Sequence, residues 1–458
     1  MLAVTLLAIA LYMALQFGIG IWVSRRIRTE ADYILAGRNL GYLLCTFSIF
    51  ATWFGAETIV GSAGRAYREG VSLASAEPFG YGLCLLLAGI VFAAPLWRRK
   101  LTTLADLYRE RFSVGAERLA AVVLIPGSIY WAAAQIRAFG HVISASTSAV
   151  DAEVAIAIAA GFTIAYAMFG GMLVDAITDV IQGVVLMAGL AVVFAFVLPH
   201  LGQAEPAAST AAARVRLLPE TGESAWSLIE RWAIPIGGSV LATELVGRLL
   251  AARSVLVARR SAILASALYI GIGSIPLMIG VLGPGLVPVI ADEEQLLPHV
   301  ARTMLPTFAY AIFAGALISA ILSTVDSTLL TASSLLSHNI IVPVFRVANE
   351  RWKVRYARGG VVAFGVVAYV LALHASGVFA LVEQASAFGS AGVLVTACFG
   401  LFSSFGDARA AIATLALSPA AYMVATASGA ETPFLLSLAV AFVTYVLSAA
   451  MGGAAKRA

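Results

Sequence analysis

Charge is scarce in this sequence. Asp, Glu, Lys and Arg make up 12% of its 458 residues, while 61% are hydrophobic. A water-soluble domain carries about a quarter of its residues charged, so a chain this poor in charge cannot coat a water-facing surface. Cysteine is nearly absent: Cys45, Cys84 and Cys398 stand in no CxxC spacing. They are read as packing residues in or beside the apolar runs, and no redox inference is drawn from them. The five histidines, His141, His200, His299, His338 and His374, stand singly, and no HExxH or GxSxG run occurs, so the familiar hydrolytic centres have no carrier. Long polar stretches are lacking too. No connection between apolar runs exceeds roughly thirty residues, which excludes an inserted soluble catalytic or nucleotide-binding domain.

What the sequence has instead is apolar runs. A helix needs roughly 17 to 25 such residues to cross a bilayer. Thirteen runs of about that size occur, at 3–24, 43–64, 76–97, 117–145, 151–169, 174–198, 229–250, 257–283, 304–340, 358–374, 378–402, 408–427 and 433–451. The chain is read as an all-α polytopic membrane protein with about 13 transmembrane helices and the lipid bilayer as its main solvent.

Basic residues set the orientation. Arg25, Arg26 and Arg28 follow the first run rather than precede it, the reverse of a cleavable signal. The first run is therefore expected to be a retained helix with its N-terminus outside. Most of the 29 Lys and Arg then fall on the inner side, at 25–38, 98–118, 248–260 and 346–358, with Arg409, Lys456 and Arg457. The outer connections hold Arg65, Arg68, Arg214, Arg216 and Arg302. A bacterial-type inner (plasma) membrane with a cytoplasmic C-terminus is expected. A pI of about 9.0 is explained by the cytoplasmic leaflet, without a nucleic-acid partner. The ending AAKRA directly after the last run argues against an appended signalling domain.

Two runs contain helix breakers. ATWFGAETIVG, Ala51 to Gly61, sets Gly55 and Gly61 around Glu57, and WAIPIGG sets Pro235, Gly237 and Gly238 inside the seventh run. Backbone groups freed in lipid must be covered by neighbouring helices or line a cavity. Each alone reads as an ordinary kink. The second and seventh runs are five helices apart and oppositely oriented, and interrupted helices at matching positions of inverted halves point to a transporter's binding site.

Ionisable groups within the runs are Glu57, Glu77, Arg137, Asp179, Asp326 and Glu383. Internal ion pairing accounts for any one of them; together, with more acids than bases, they favour a site for a cation. ISAILSTVDSTLLTASSLLSHNI, Ile318 to Ile340, carries nine hydroxyls and Asp326 without Gly or Pro. At helical spacing Ala320, Ser323, Thr324 and Ser327 share a face, which presents uncharged oxygens suited to a hard monovalent cation that must later leave. Hydroxyls in membrane helices also bond back to their own backbone, and that account is preferred for Ser333, Ser334 and Ser337.

These residues resemble the sodium:solute symporter family, which includes sodium-coupled proline, sugar and sialic acid carriers. The resemblance rests on ATWFGAETIVG, on GGMLVDAITDVIQG from Gly170 to Gly183, and on AILSTVDSTLLTASS from Ala320 to Ser334. GRLLAARS, Gly247 to Ser254, adds to it. It implies a LeuT-type fold of two inverted five-helix repeats, here 41–199 and 229–403, joined by an extracellular loop at 200–228. An extra helix and loop (1–40) would precede them and two extra helices (404–458) follow.

The resemblance also implies a Na+ site made by the carbonyls of Ala51, Phe54 and Ala320 and the hydroxyls of Ser323 and Thr324. Asp179, Asp326 and Ser327 match positions where some relatives hold a second sodium. Asp326 departs from the Ser found there, so a second Na+ and a bound proton both stay open. Asp175 is a further departure, expected near the inner interface. Candidate solute residues are Trp53, Glu57, Thr58, Glu77, Gln135, Arg137 and Glu383, with Arg137 a partner for a carboxylate. Pro235 and Gly238 replace the polar residues of the sugar carriers. The expected function is sodium-coupled symport of a small polar organic solute, an amino acid or carboxylate before a sugar, and not enzymatic. Proton-coupled transport by the same fold and solute sensing without transport are the alternatives. The sequence is compatible with a monomer and does not set the oligomeric state.

Overall fold

The computed structural model describes residues 2–146, 151–199, 214–216, 223–287, 289–290 and 293–455. The expected outer loop at 200–228, and Lys456 and Arg457, thus lie largely or wholly outside the described residues. Among those described there is no strand, only the isolated bridges Leu40–Ala252 and Val71–Val215.

The helices follow the apolar runs. After α1 (Leu2–Ser24) come α2 (Tyr42–Trp53) and α3 (Glu57–Glu69), two halves of one span bent by 55°. Then follow α4 (Phe79–Arg98), α5 (Val114–Ser146), α6 (Ala152–Met168), α7 (Met172–Val197) and α8 (Ala225–Ala251). The second half holds α9 (Val255–Leu286), α10 (Thr307–Phe345), α11 (Glu350–His374), α12 (Val378–Phe402), α13 (Ala408–Ala427) and α14 (Pro433–Ala455). Ten of these are long and apolar enough to cross a membrane, or eleven with the bent α2–α3 pair. The expected thirteen is not confirmed: α6, with 17 residues, is shorter than these, and α1 is a further apolar helix.

Local chemistry sets the ends. Ser254 Oγ accepts from Val257 N to start α9, Asn349 caps α11 through Arg351 N, and Asp407 caps α13 through the amides of Arg409 and Ala410. Each satisfies an amide that the first helical turn leaves without a partner. α3 stops at Gly70, whose φ of 78° falls where a Cβ is disfavoured.

α10 is the centre of the molecule. In its most apolar stretch 78% of residues are buried, against 28% for α14, whose outer faces meet lipid. It packs on α7 and α5, and α7 packs on α2. A helix surrounded by helices can carry hydroxyls and a carboxylate that lipid would not tolerate. α13 and α14 pair with each other at the periphery, against α12.

The two interrupted helices flank this centre. α2 ends at Phe54, whose φ of −89° and ψ of 69° leave the helical region, and α3 starts two residues beyond Gly55 with a π-type turn over Glu57–Gly61. α8 carries a π-type turn at Ile234–Gly238, and residues 239–242 leave the helix before it resumes at Thr243. The break therefore falls just after Pro235 and the two glycines. Gly238 is required by approach: a Cβ there would lie 2.3 Å from the Ser386 carbonyl of α12.

Candidate functional site

Three groups of buried polar residues surround the breaks. The first joins α2 to α10. Thr324 Oγ1 donates to Thr52 O and to its own helix at Ala320 O, both at 3.0 Å. Ser323 Oγ donates to Asp179 Oδ1 of α7 at 2.5 Å. Ala51, Phe54, Ala320, Ser323 and Thr324 are all buried. The contact made by the hydroxyl is with Thr52 O, one residue along from the expected carbonyl of Ala51 and two before Phe54. It arises because Thr52 lies in the last turn before the break, where the carbonyls lack a helical partner.

The second group lies on the Asp179 side of the first and was only partly foreseen. Arg248 is wholly buried, although its position at the end of α8 suggests an inner-loop cation. Its Nε donates to Ser48 Oγ at 2.9 Å and its Nη1 to Glu244 O at 3.0 Å. Nη2 donates to Ser327 Oγ. Asp179 Oδ2 lies 3.7 Å from Nη2 and Asp175 Oδ2 lies 3.9 Å from it. Ser48 Oγ in turn donates to Asp179 Oδ2 at 2.5 Å, and Ser327 Oγ lies 3.1 Å from Thr52 Oγ1. Asp175, in the first turn of α7, is buried and belongs to this cluster beside the guanidinium. Asp326 adjoins it: a Cβ on Gly170 would lie 2.7 Å from Asp326 Oδ1 and 3.4 Å from Asp175 Oδ1. Neither oxygen of Asp326 has a hydrogen-bond partner among the described residues.

The third group surrounds the start of α3. Glu57 is buried, with Oε2 accepting from Gln135 Nε2 at 2.8 Å and Oε1 from Trp131 Nε1 at 3.3 Å. Gln135 also accepts from Ala56 N at 2.9 Å, so one α5 amide satisfies the broken backbone and orients the carboxylate. Gly55 makes room for this: a Cβ there would lie 2.4 Å from Glu57 Oε2 and 2.9 Å from Gln135 Nε2. Glu77 Oε1 accepts from Thr58 Oγ1 at 2.8 Å and Tyr269 OH at 2.6 Å, and Glu77 Oε2 has no partner among the described residues.

Aromatic rings wall the two carboxylates. Trp53 meets Trp131 at 5.2 Å between centroids, Tyr81 meets Trp131 at 6.2 Å and Tyr269 at 6.4 Å, and Phe54 meets Tyr269 at 5.4 Å. Beyond Trp131 a cavity of about 40 Å³ reaches the break in α8, edged by Ser128, Ser239, Thr243, Glu244 and Ser386. Among the solute candidates the structure brings together Trp53, Glu57, Thr58, Glu77 and Gln135. It does not bring in Arg137, whose Nη1 donates to Ala372 O of α11 at 2.9 Å. Glu383 is exposed on α12. The α5 helix turns Gln135 and Arg137 to different neighbours because they are two residues apart, about 200° around its axis.

Sequence reading missed Arg248, Trp131, Tyr81 and Tyr269. Arg248 had a signal, since it sits within GRLLAARS inside the seventh run. The aromatics had none, because a chain this apolar places aromatic rings everywhere.

The model of the sodium:solute symporter family matches residues 33–417. The chain belongs to that family. Among curated relatives, a high-affinity choline transporter of Drosophila melanogaster is 27% identical over 400 residues, covering 83% of this symporter-family chain and 64% of the relative. A high affinity choline transporter of Homo sapiens is 29% identical over 402 residues, covering 82% of this chain and 69% of the relative. The chain therefore spans less than two thirds of the first relative's length. A solved structure of a sodium-coupled sialic acid symporter in a substrate-bound outward-open state superposes with a TM-score of 0.85, at 18% identity, covering 98% of each chain. At that identity the likeness is one of fold.

Proposed function

We propose that this chain is a secondary active symporter that imports a small organic solute with sodium by alternating access. The observation that carries the reading is the junction of Thr324 Oγ1 with Thr52 O, 3.0 Å apart. There Thr324 Oγ1 bridges a carbonyl released by the broken helix and Ala320 O of its own helix, and Ser323 beside it in sequence donates to Asp179 Oδ1. Such a set of neutral oxygens can replace the water around a sodium ion yet release it. A sodium ion bound between α2 and α10 favours the conformation in which the two helices are joined, which is what coupling requires. The repeats 41–199 and 229–403, an outside N-terminus, a cytoplasmic C-terminus and a bacterial-type plasma membrane belong to this reading.

The solute is proposed to be an organic cation. Glu57 and Glu77 place two buried carboxylates among Trp53, Trp131, Tyr81 and Tyr269, with no Lys or Arg hydrogen-bonded to either among the described residues. Ring faces and carboxylates together suit an alkylammonium group, and the choline transporters among the relatives support that class. Arg137, the expected partner of an amino acid's carboxylate, points one donor at Ala372 O on α11 and stands apart from Glu57 and Glu77, so an organic cation is preferred here to the expected amino acid or carboxylate.

The test is uptake into proteoliposomes of radiolabelled choline, proline and glucose, with an inward sodium gradient or with potassium on both sides. Sodium-driven uptake of choline above the other two is expected; uptake indifferent to the sodium gradient would reject the reading. The Asp175–Asp326 pair favours one second reading, proton coupling, which predicts uptake driven by an inward pH gradient in sodium-free medium.

A further inference from the structure

The cavity beyond Trp131 is edged by a carboxylate with no role so far. Glu244, in the first turn of the helix that resumes at Thr243, is buried. Its Oε1 accepts from Ser128 Oγ at 2.5 Å, and its Oε2 from Thr243 Oγ1 at a long 3.4 Å. Among the described residues no Lys, Arg or His pairs with that carboxylate. Arg248, one turn on, gives Nη1 to the Glu244 backbone carbonyl at 3.0 Å and Nη2 to Ser327 Oγ. A buried carboxylate held by hydroxyls alone lacks the counter-charge that its burial calls for.

The space beside it suits a small cation. At about 40 Å³ the cavity has room for roughly three water molecules. Trp131, which lines it, also donates to Glu57 Oε1 at 3.3 Å, so one indole walls both the aromatic cage and this cavity. A hydroxyl chain runs the same way: Tyr81 OH lies 2.8 Å from Ser386 Oγ, which accepts from Ser239 Oγ at 3.0 Å. Thr243 then lines a second cavity of about 20 Å³, with Thr102, Thr103, Thr331 and Ser334, nearer the loops read as inner. Cage, Glu244 cavity and hydroxyl-lined pocket therefore adjoin in that order, through Trp131 and Thr243.

We propose that Glu244 holds a second, inner binding position for an organic ammonium group, reached after the Glu57–Glu77 cage and before release. This deepens the organic-cation reading above and rests on it. A cation leaving the cage exchanges one buried carboxylate for another, with the Trp131 ring between them to stabilise its passage. Its charge is never left in the apolar interior without a partner.

The experiment measures equilibrium binding of radiolabelled tetramethylammonium to the purified full chain at saturating sodium, for the native chain, Glu244→Gln, Glu244→Asp and Glu57→Gln. The native isotherm is expected to show two positions. Glu244→Gln should weaken one of them about tenfold or more, the loss of one charge-assisted contact, and leave the other. Glu244→Asp should keep both, and Glu57→Gln should weaken the position that Glu244→Gln spares. A single position on the native chain would overturn the proposal, and that measurement needs no variant to fold. A folded Glu244→Gln chain with both positions as in the native chain, or both weakened alike, would overturn it as well. No binding to the native chain would instead overturn the organic-cation reading on which the proposal stands.

Discussion

Thr324, deep in α10, donates its hydroxyl to the carbonyl of Thr52 at 3.0 Å across 272 positions of sequence. Thr52 is in the last turn of α2, so the contact ties the most buried helix to the edge of a backbone break. Whatever parts these two helices must first part these two atoms.

Replacing Ser323 and Thr324 together by alanine removes two hydroxyl ligands while leaving the carbonyls. A hydrogen bond or ligand of this kind contributes about 0.5–1.5 kcal/mol. The sodium concentration for half-maximal uptake is expected to rise about tenfold or more, measured as solute uptake against external sodium. An unchanged sodium requirement would place the ion elsewhere.

Gly55→Ala puts a methyl 2.4 Å from Glu57 Oε2. Either the carboxylate or the Gln135 amide must move, and overpacking of this kind costs about 1–3 kcal/mol. The variant is expected to lose several degrees of thermal stability and most of its uptake. Alanine at Gly161, where a Cβ meets nothing within 4 Å, is the control and is expected to behave as the native chain.

Glu57→Gln and Glu77→Gln keep shape and remove charge. If the solute is cationic, each loses a charge-assisted contact of about 1.5–3 kcal/mol, and KM is expected to rise roughly tenfold or more. Competition assays check this: neutral analogues should compete equally well against the native chain and the variants. Glu383→Gln, on the exposed face of α12, is expected to leave KM unchanged.

Asp106, on the connecting helix Ala105–Arg111, governs a pH effect. Burial pushes its carboxyl up, but hydrogen bonding and charge from His338, with the amides of Thr103 and Thr102, hold it below its ordinary 3.8 overall. A depressed carboxyl stabilises the fold above its unfolded value, and that contribution is lost as pH falls through the folded value. Asp106→Asn is therefore expected to lower stability by about 1–3 kcal/mol at pH 7. The difference should shrink below pH 4, as read by thermal melts across pH.

The runs of apolar residues and their breakers were enough to place the helices, because hydropathy and glycine act locally. Gly55 marked its break within a residue, while the break of α8 fell after Gly238 rather than at Pro235. What stayed hidden depends on pairs brought together by folding. Arg248 and Asp175 are 3.9 Å apart, yet each alone looks like a helix-end charge facing water. Gln135 and Arg137 share one short stretch and look equally suited to the site; only helix rotation separates them. Trp131 and Tyr269 carry no mark among so many apolar neighbours, and their meaning comes from the acids they enclose.

Gln135 holds Ala56 N and Glu57 Oε2 with one amide, at 2.9 and 2.8 Å. Thr52 is gripped from α10 only a few residues earlier. The intervening link works as a crank pinned at both ends. On the proposed reading, a guest that pulled Glu57 would twist the peptide groups offered to the ion, so each passenger would sense the other through main-chain rotation, with no relay of packed side chains between them.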